Sequence, residues 1–112
     1  MTLWLFLAAA AGVAANDPPV MSFQPGWITA DDYPPQSVMR GEQGLVTVEW
    51  DIGIDGKIHN CTTYRSTGYP TLDNWTCVLL TRRGRYAPAL DQFGKPVVQH
   101  ARGSFRWILP RE

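Results

Sequence analysis

Between residues 45 and 52 the chain alternates. Val46, Val48, Trp50 and Ile52 are apolar, and Thr47, Glu49 and Asp51 between them are polar. A period of two is the mark of a strand with one buried face. Asp55-Gly56 follows, a pair suited to a type I′ hairpin turn, in which both central residues take positive φ. The return strand is expected in KIHNCTTYRS, residues 57–66. Its inward candidates, Ile58 and Cys61, are three apart, which strict alternation forbids. A β-bulge near His59-Asn60 reconciles them.

From residue 70 the period changes. Leu72, Trp75, Thr76, Leu79 and Leu80 form an apolar stripe at helical spacing. Thr71 is the N-cap candidate, Asp73 suits the positive first turn, Arg82 and Arg83 suit the negative end, and Gly84 stops the helix. Residues 86–89 read as a kinked connector and 91–96 as a turn. The last strand is expected over 97–109, with Val97, Ala101, Gly103, Phe105 and Trp107 on the inner face and His100, Arg102, Ser104 and Arg106 on the outer. Upstream, Asp32 is placed to cap a two-turn helix, with Pro34 and Pro35 in its first turn and Gly41 after its last. Residues 16–32 carry three prolines and no period, and read as an extended lead-in pinned to the body by Phe23 and Trp27. Strands polar on one face need helices on the other. The expected fold is α+β: a two-layer sandwich of a three-stranded antiparallel sheet with two helices on one face, in the order α-β-β-α-β.

The remaining features narrow the function. At 112 residues there is room for one domain, and ten basic side chains balance ten acidic ones, which argues against a nucleic-acid binder or an electrostatic membrane binder. Arg82, Arg83 and Arg85 form a local basic cluster, read as a solvated helix end. Residues 1–15 hold an apolar run from Leu3 to Ala15, about 20 Å long as a helix, against a hydrocarbon core of about 30 Å. Val13-Ala14-Ala15 fits a signal-peptidase site, so residues 1–15 read as a signal peptide and the protein as exported. An uncleaved anchor is the alternative, since no Lys or Arg precedes the run. In an oxidising compartment Cys61 and Cys77 most simply form one disulfide, joining the inner face of the second strand to the sheet-facing side of the next helix. Two independent buried thiols are the alternative. No metal or other cofactor is expected, because His59 and His100 lie at no short spacing from both cysteines. Trp75 and Trp107 are assigned to the core. Asn60-Cys61-Thr62 and Asn74-Trp75-Thr76 fit the glycosylation pattern, but such matches are common by chance.

Taken in order, Tyr33-Pro34, Gly44, Asp55-Gly56, Ser66-Thr67-Gly68, Leu72-Asp73 and Arg85-Tyr86-Ala87-Pro88-Ala89 resemble the C-terminal domain of TonB, over residues 33–109. The resemblance implies a periplasmic protein-binding module, coupled in its family to transport across the outer membrane, whose last strand pairs with a short segment of an outer-membrane transporter. The docking edge would then run through Val98, Gln99, His100, Ala101, Arg102, Gly103, Ser104 and Phe105. Gln99, His100 and Arg102 would set side-chain selectivity. Only residues 16–32 separate the apolar start from the domain, about 60 Å at most when extended, so a free periplasmic domain is expected rather than a tethered transducer. The alternative is a self-associating or structural envelope protein, possible as a homodimer. Catalysis is not expected: His59 or His100 with Asp51, Asp55 or Asp73, and Ser66 or Ser104 as nucleophile, each have a plainer role in a turn or on a solvated strand.

Overall fold

The computed structural model describes residues 18–21, 23–24 and 26–110. The expected signal peptide, residues 1–15, lies outside the described residues. After a 3₁₀ turn at Ala30–Asp32 come α1 (Pro35–Arg40), β1 (Gly44–Ile52), β2 (Ile58–Arg65) and α2 (Pro70–Arg83). A two-residue ribbon, β3 (Ala89–Leu90) with β4 (Pro96–Val97), precedes β5 (Gln99–Trp107). The sheet order is β2-β1-β5, antiparallel throughout, with β1 in the centre. The fold is therefore the α+β arrangement that the periodicities predict.

β1 alternates as its sequence does. Val46, Val48, Trp50 and Ile52 are buried, and they meet Leu72, Leu79 and Leu80 of α2 and Ala101 and Trp107 of β5 in one core. The seam between α2 and β5 is polar at one point. The Trp107 indole N–H donates to Thr76 Oγ1 at 2.8 Å, and Thr76 Oγ1 in turn donates to the Leu72 carbonyl. A threonine inside an apolar stripe is thereby fully satisfied, as burial demands.

The bulge in β2 is present. Glu49 pairs with Thr62 and Asp51 with His59, so Asn60 and Cys61 together face Trp50. Among the described residues Asn60 is the one non-glycine with positive φ, 55°, a region asparagine tolerates better than most. Its side-chain amide donates to Asp51 Oδ2. The extra residue turns Cys61 back to the inner face, where it is bonded to Cys77 of α2. A second irregularity skips Tyr64.

Four local expectations need correction. The 53–57 turn is not type I′. Gly56 alone has positive φ, 78°, and three residues link Gly53 and Lys57, whose N–H and carbonyl close the hairpin at 2.9 Å. That is the three-residue loop built on a type I turn with a left-handed third residue. Glycine is required twice over there, since a Cβ at Gly56 would lie 2.4 Å from the Tyr86 carbonyl. Asp32 does not cap α1, whose N-cap is Pro34, and Thr71 does not cap α2, whose N-cap is Tyr69 with Pro70 at the first helical position. Asp73 instead reaches back to the Ser66-Thr67-Gly68 turn. There its buried carboxylate accepts the Thr67 N–H at 2.9 Å, the Thr67 hydroxyl at 2.8 Å and the Ser66 hydroxyl. Finally, the last strand starts at Gln99. Val97 is exposed and belongs to the ribbon, because Asp91 accepts the Phe93 and Lys95 N–H groups and folds 91–95 into a second hairpin.

Helices do not cover the whole inner face. α2 lies over β2 and β1. In front of β5 the cover is the lead-in: Phe23 packs edge-on against Trp50 at 5.7 Å and stacks on Phe105 at 6.1 Å, and Trp27 meets Tyr86 edge-on at 5.2 Å. No helix among the described residues is long and apolar enough to cross a membrane.

Candidate functional site: the outer edge of β5

One side of β5 is fully used. Every residue from Gln99 to Trp107 has a partner on β1, from Ile52 to Gly44. The other side is a sheet edge, and its backbone groups alternate with those that face β1. Arg102 bonds outward, so the outward set is His100, Arg102, Ser104 and Arg106. Among the described residues, Arg102 is the one of these with outward backbone bonds: its N–H donates to the Pro19 carbonyl at 3.0 Å, and its carbonyl accepts the Met21 N–H at 2.8 Å. Ser104 and Arg106 are exposed, and their outward N–H and carbonyl groups bond to no backbone group among the described residues. Two recesses flank Phe105 along this stretch. One, of about 460 Å³, is walled by Val20, Met21, Phe23, Ile28 and Phe105, and the other, of about 190 Å³, by Ile28, Tyr33, Phe105, Trp107 and Ile108.

The expected edge residues divide by face. Val98 lies outside β5, in the exposed link after the ribbon. Ala101 and Gly103 are buried on the inner face, and Phe105 is half-buried there. The outward side chains are tied across to β1. Arg102 donates to Glu49 Oε2 from Nε at 2.8 Å and from Nη2, and its guanidinium lies 3.8 Å from the centre of the Tyr64 ring. His100 Nδ1 contacts Asp51, and Ser104 Oγ shares a 2.7 Å hydrogen bond with Thr47. The Asp51 carboxyl is held below its ordinary range, first by the Asn60 amide and then by His100. Arg102 and His100 are thus part of a cross-strand polar lattice, the sheet counterpart of helix side-chain pairs. Both of these expected selectivity residues are therefore held within the sheet as well as placed along β5. Arg106 was outside the expected range although the period of two already placed it outward.

The residues weighed for catalysis come together only as separate pairs. His59 lies by Asp55 in the first hairpin, His100 by Asp51, and Ser66 by Asp73 at the start of α2. Among the described residues there is no group of three His, Cys, Asp or Glu placed to hold a metal ion.

The basic cluster is also corrected. Arg83 is not a merely solvated helix end: it donates to the Trp27 carbonyl at 2.8 Å and to Asp32 Oδ2 at 2.7 Å, clasping the lead-in to α2. Arg82 lies over the Trp75 ring. Trp75 is half-buried rather than core. Its indole N–H donates to the Asp32 carbonyl at 2.7 Å, and it walls a recess of about 570 Å³ with Tyr33, Pro34, Pro35 and Val78. The Arg83 hydrogen bond is the first cause that lowers the Asp32 pKa from 3.8 to about 2. A carboxylate with a depressed folded-state pKa adds stability above its unfolded value and loses it as pH falls through the folded one. The clasp is therefore expected to hold above pH ~4 and to let go between about 4 and 2. The Thr29 N–H, which donates to Asp32 Oδ2, reports the titration by NMR. Arg83→Gln should move its midpoint up toward 3.8, and an unmoved midpoint would deny the clasp.

The architecture is a small two-layer α+β domain in which β5 forms one edge of the sheet. The family model described as Gram-negative bacterial TonB protein C-terminal matches residues 29–109, and the chain belongs to that family. It is similar in fold to the solution NMR structure of the Pseudomonas aeruginosa TonB CTD, with a TM-score of 0.56 and 23% identity, over 86% of this chain and 83% of that one. No curated protein matches the sequence.

Proposed function

We propose that the protein is a TonB-like periplasmic binding module that docks an extended segment of an outer-membrane transporter by strand addition along β5. The observation that carries this reading is the pair of outward positions, Ser104 and Arg106, without a backbone partner among the described residues and set between the two recesses at Phe105. An added strand would satisfy those backbone groups and lay alternate side chains into the recesses. Family membership supports a protein-binding rather than a catalytic role. Export through residues 1–15 would place the domain in the periplasm, where the cysteine pair can stay oxidised.

The test is a titration of the ¹⁵N-labelled protein with synthetic peptides copied from periplasmic segments of the source organism's outer-membrane transporters. Shifts are expected at Ser104 to Trp107. Arg106→Pro removes one outward N–H at an edge, where proline is tolerated, and should weaken binding about 10-fold or more with the fold intact. Arg106→Ala keeps the backbone and should change binding less than about 3-fold. Shifts confined to Trp75 and Val78 would move the site to the α2 recess. Shifts that depend on protein concentration alone would favour a homodimer.

A further inference from the structure

We propose that the lead-in is a resident strand: residues 19–21 occupy the β5 edge at Arg102, and an incoming strand takes the whole edge only by displacing them. The inference rests on the docking reading above, and it concerns how that site is regulated.

Val20 and Arg102 form a parallel bridge made of the two backbone bonds already described. Among the described residues the bridge extends no further. Backward, the next donor would have to come from Pro19 or Pro18, and proline has no N–H to offer the His100 carbonyl. Forward, the Met21 carbonyl turns in over Gly103, and the Ser104 N–H bonds to no backbone group among the described residues. The Met21 carbonyl lies 2.6 Å from where a Cβ at Gly103 would stand, so glycine is what admits it. The Val20 side chain, 81% exposed, adds no burial. Two hydrogen bonds, with Met21 half-buried against the core and Val20 free of packing, make a hold that a longer strand, bonded also at Ser104 and Arg106, can replace.

Downstream the same segment is firmly attached. Phe23 packs on Trp50 and Phe105, the Trp27 carbonyl accepts from Arg83, and Ile28 is buried. Release of residues 19–21 therefore leaves the domain folded and keeps the strap beside the edge at high effective concentration. While the strap is seated, the apparent affinity for any strand at Arg102 is reduced by the fraction of molecules that are open.

The experiment uses the full chain and Met21→Pro, which deletes the donor to the Arg102 carbonyl and leaves the sequence of β5 unchanged. In the unmodified protein the Arg102 amide is expected to exchange at least about 10-fold more slowly than those of Ser104 and Arg106 on the same edge. In Met21→Pro it should approach their rate, while the β1-bonded amides of Gly103 and Phe105 keep theirs. Val20→Gly, which only loosens the strap, should shift the same amide the same way by a smaller factor. A synthetic peptide of residues 17–24 is then added in trans. It should move the Arg102 resonance in Met21→Pro at an apparent Kd at least about 5-fold lower than in the unmodified protein. Arg102 exchanging as fast as Ser104 and Arg106 in the unmodified protein overturns the resident strand. Equal peptide affinity in both proteins, or none in Met21→Pro, overturns displacement. If these results hold and transporter peptides still fail to bind, the docking reading fails and the resident strand stands.

Discussion

Trp107→Ala should remove about 4 kcal/mol of stability, the upper part of the range for truncating a buried aromatic. Trp107 is 2% exposed. Its ring meets Tyr33 and Phe105 edge-on, each at 5.0 Å, and its N–H is the polar link from β5 to Thr76 of α2. Truncation would empty the end of the core where Tyr33, the last strand and α2 meet. Small domains hold only about 5–15 kcal/mol in all, so a protein of this size would be left near its unfolding threshold. Trp107→Phe keeps most of the ring and loses the hydrogen bond. It should cost about 1–2 kcal/mol, the usual penalty for an unsatisfied partner plus a small void. Urea midpoints followed by circular dichroism read both. A loss below about 2 kcal/mol for the alanine variant would mean that the β5–α2 seam is not where the core is held.

Replacing both cysteines with serine, or reducing the bridge, should cost about 3 kcal/mol in the chain-entropy account. The bond closes a loop across a separation of 16 residues. Its placement makes the loss local as well as global. β2 is an edge strand, exposed along most of its length, and its ladder to β1 is interrupted twice. Beyond Ile58, its one buried residue, the sulfur bridge is its covalent tie to α2. After reduction, amides from Thr62 to Arg65 should exchange faster, while the β1–β5 pairs keep their protection. An unchanged urea midpoint on reduction would show that packing, rather than the bridge, carries this edge. A reducing compartment would hold the destabilised form.

Much of the β1–β2 hairpin and of α2 was legible because one periodic signal dominates each. Val46 to Ile52 alternate without exception, and Leu72, Leu79 and Leu80 share a helical face. Even the bulge could be read, because two apolar residues three apart cannot share a face otherwise. The caps were misassigned for a common reason. Asp32 and Thr71 have the chemistry of a cap, and Asp73 stands in the first turn of α2 as expected, but a carboxylate or hydroxyl takes whichever donors the tertiary fold brings near. For Asp32 these are Thr29 and Arg83, and for Asp73 the Ser66-Thr67 turn. Val97 was drawn into the last strand because a run of apolar residues does not show where one hairpin ends and the next strand begins.

The order of residue types along the chain was sufficient for the α-β-β-α-β arrangement and the sulfur pair, since both follow from local period and covalent spacing, whereas the choice of the last strand as the docking edge came from the family resemblance. Which edge groups are open was not contained in that order. Residues 18–28 have no period, so their path could not be inferred. Their pairing with Arg102 depends on contacts across some eighty positions, made possible by a glycine at 103 that leaves space for a passing carbonyl. Backbone hydrogen bonds between distant segments carry no sequence signature, because every residue but proline has the same donor and acceptor.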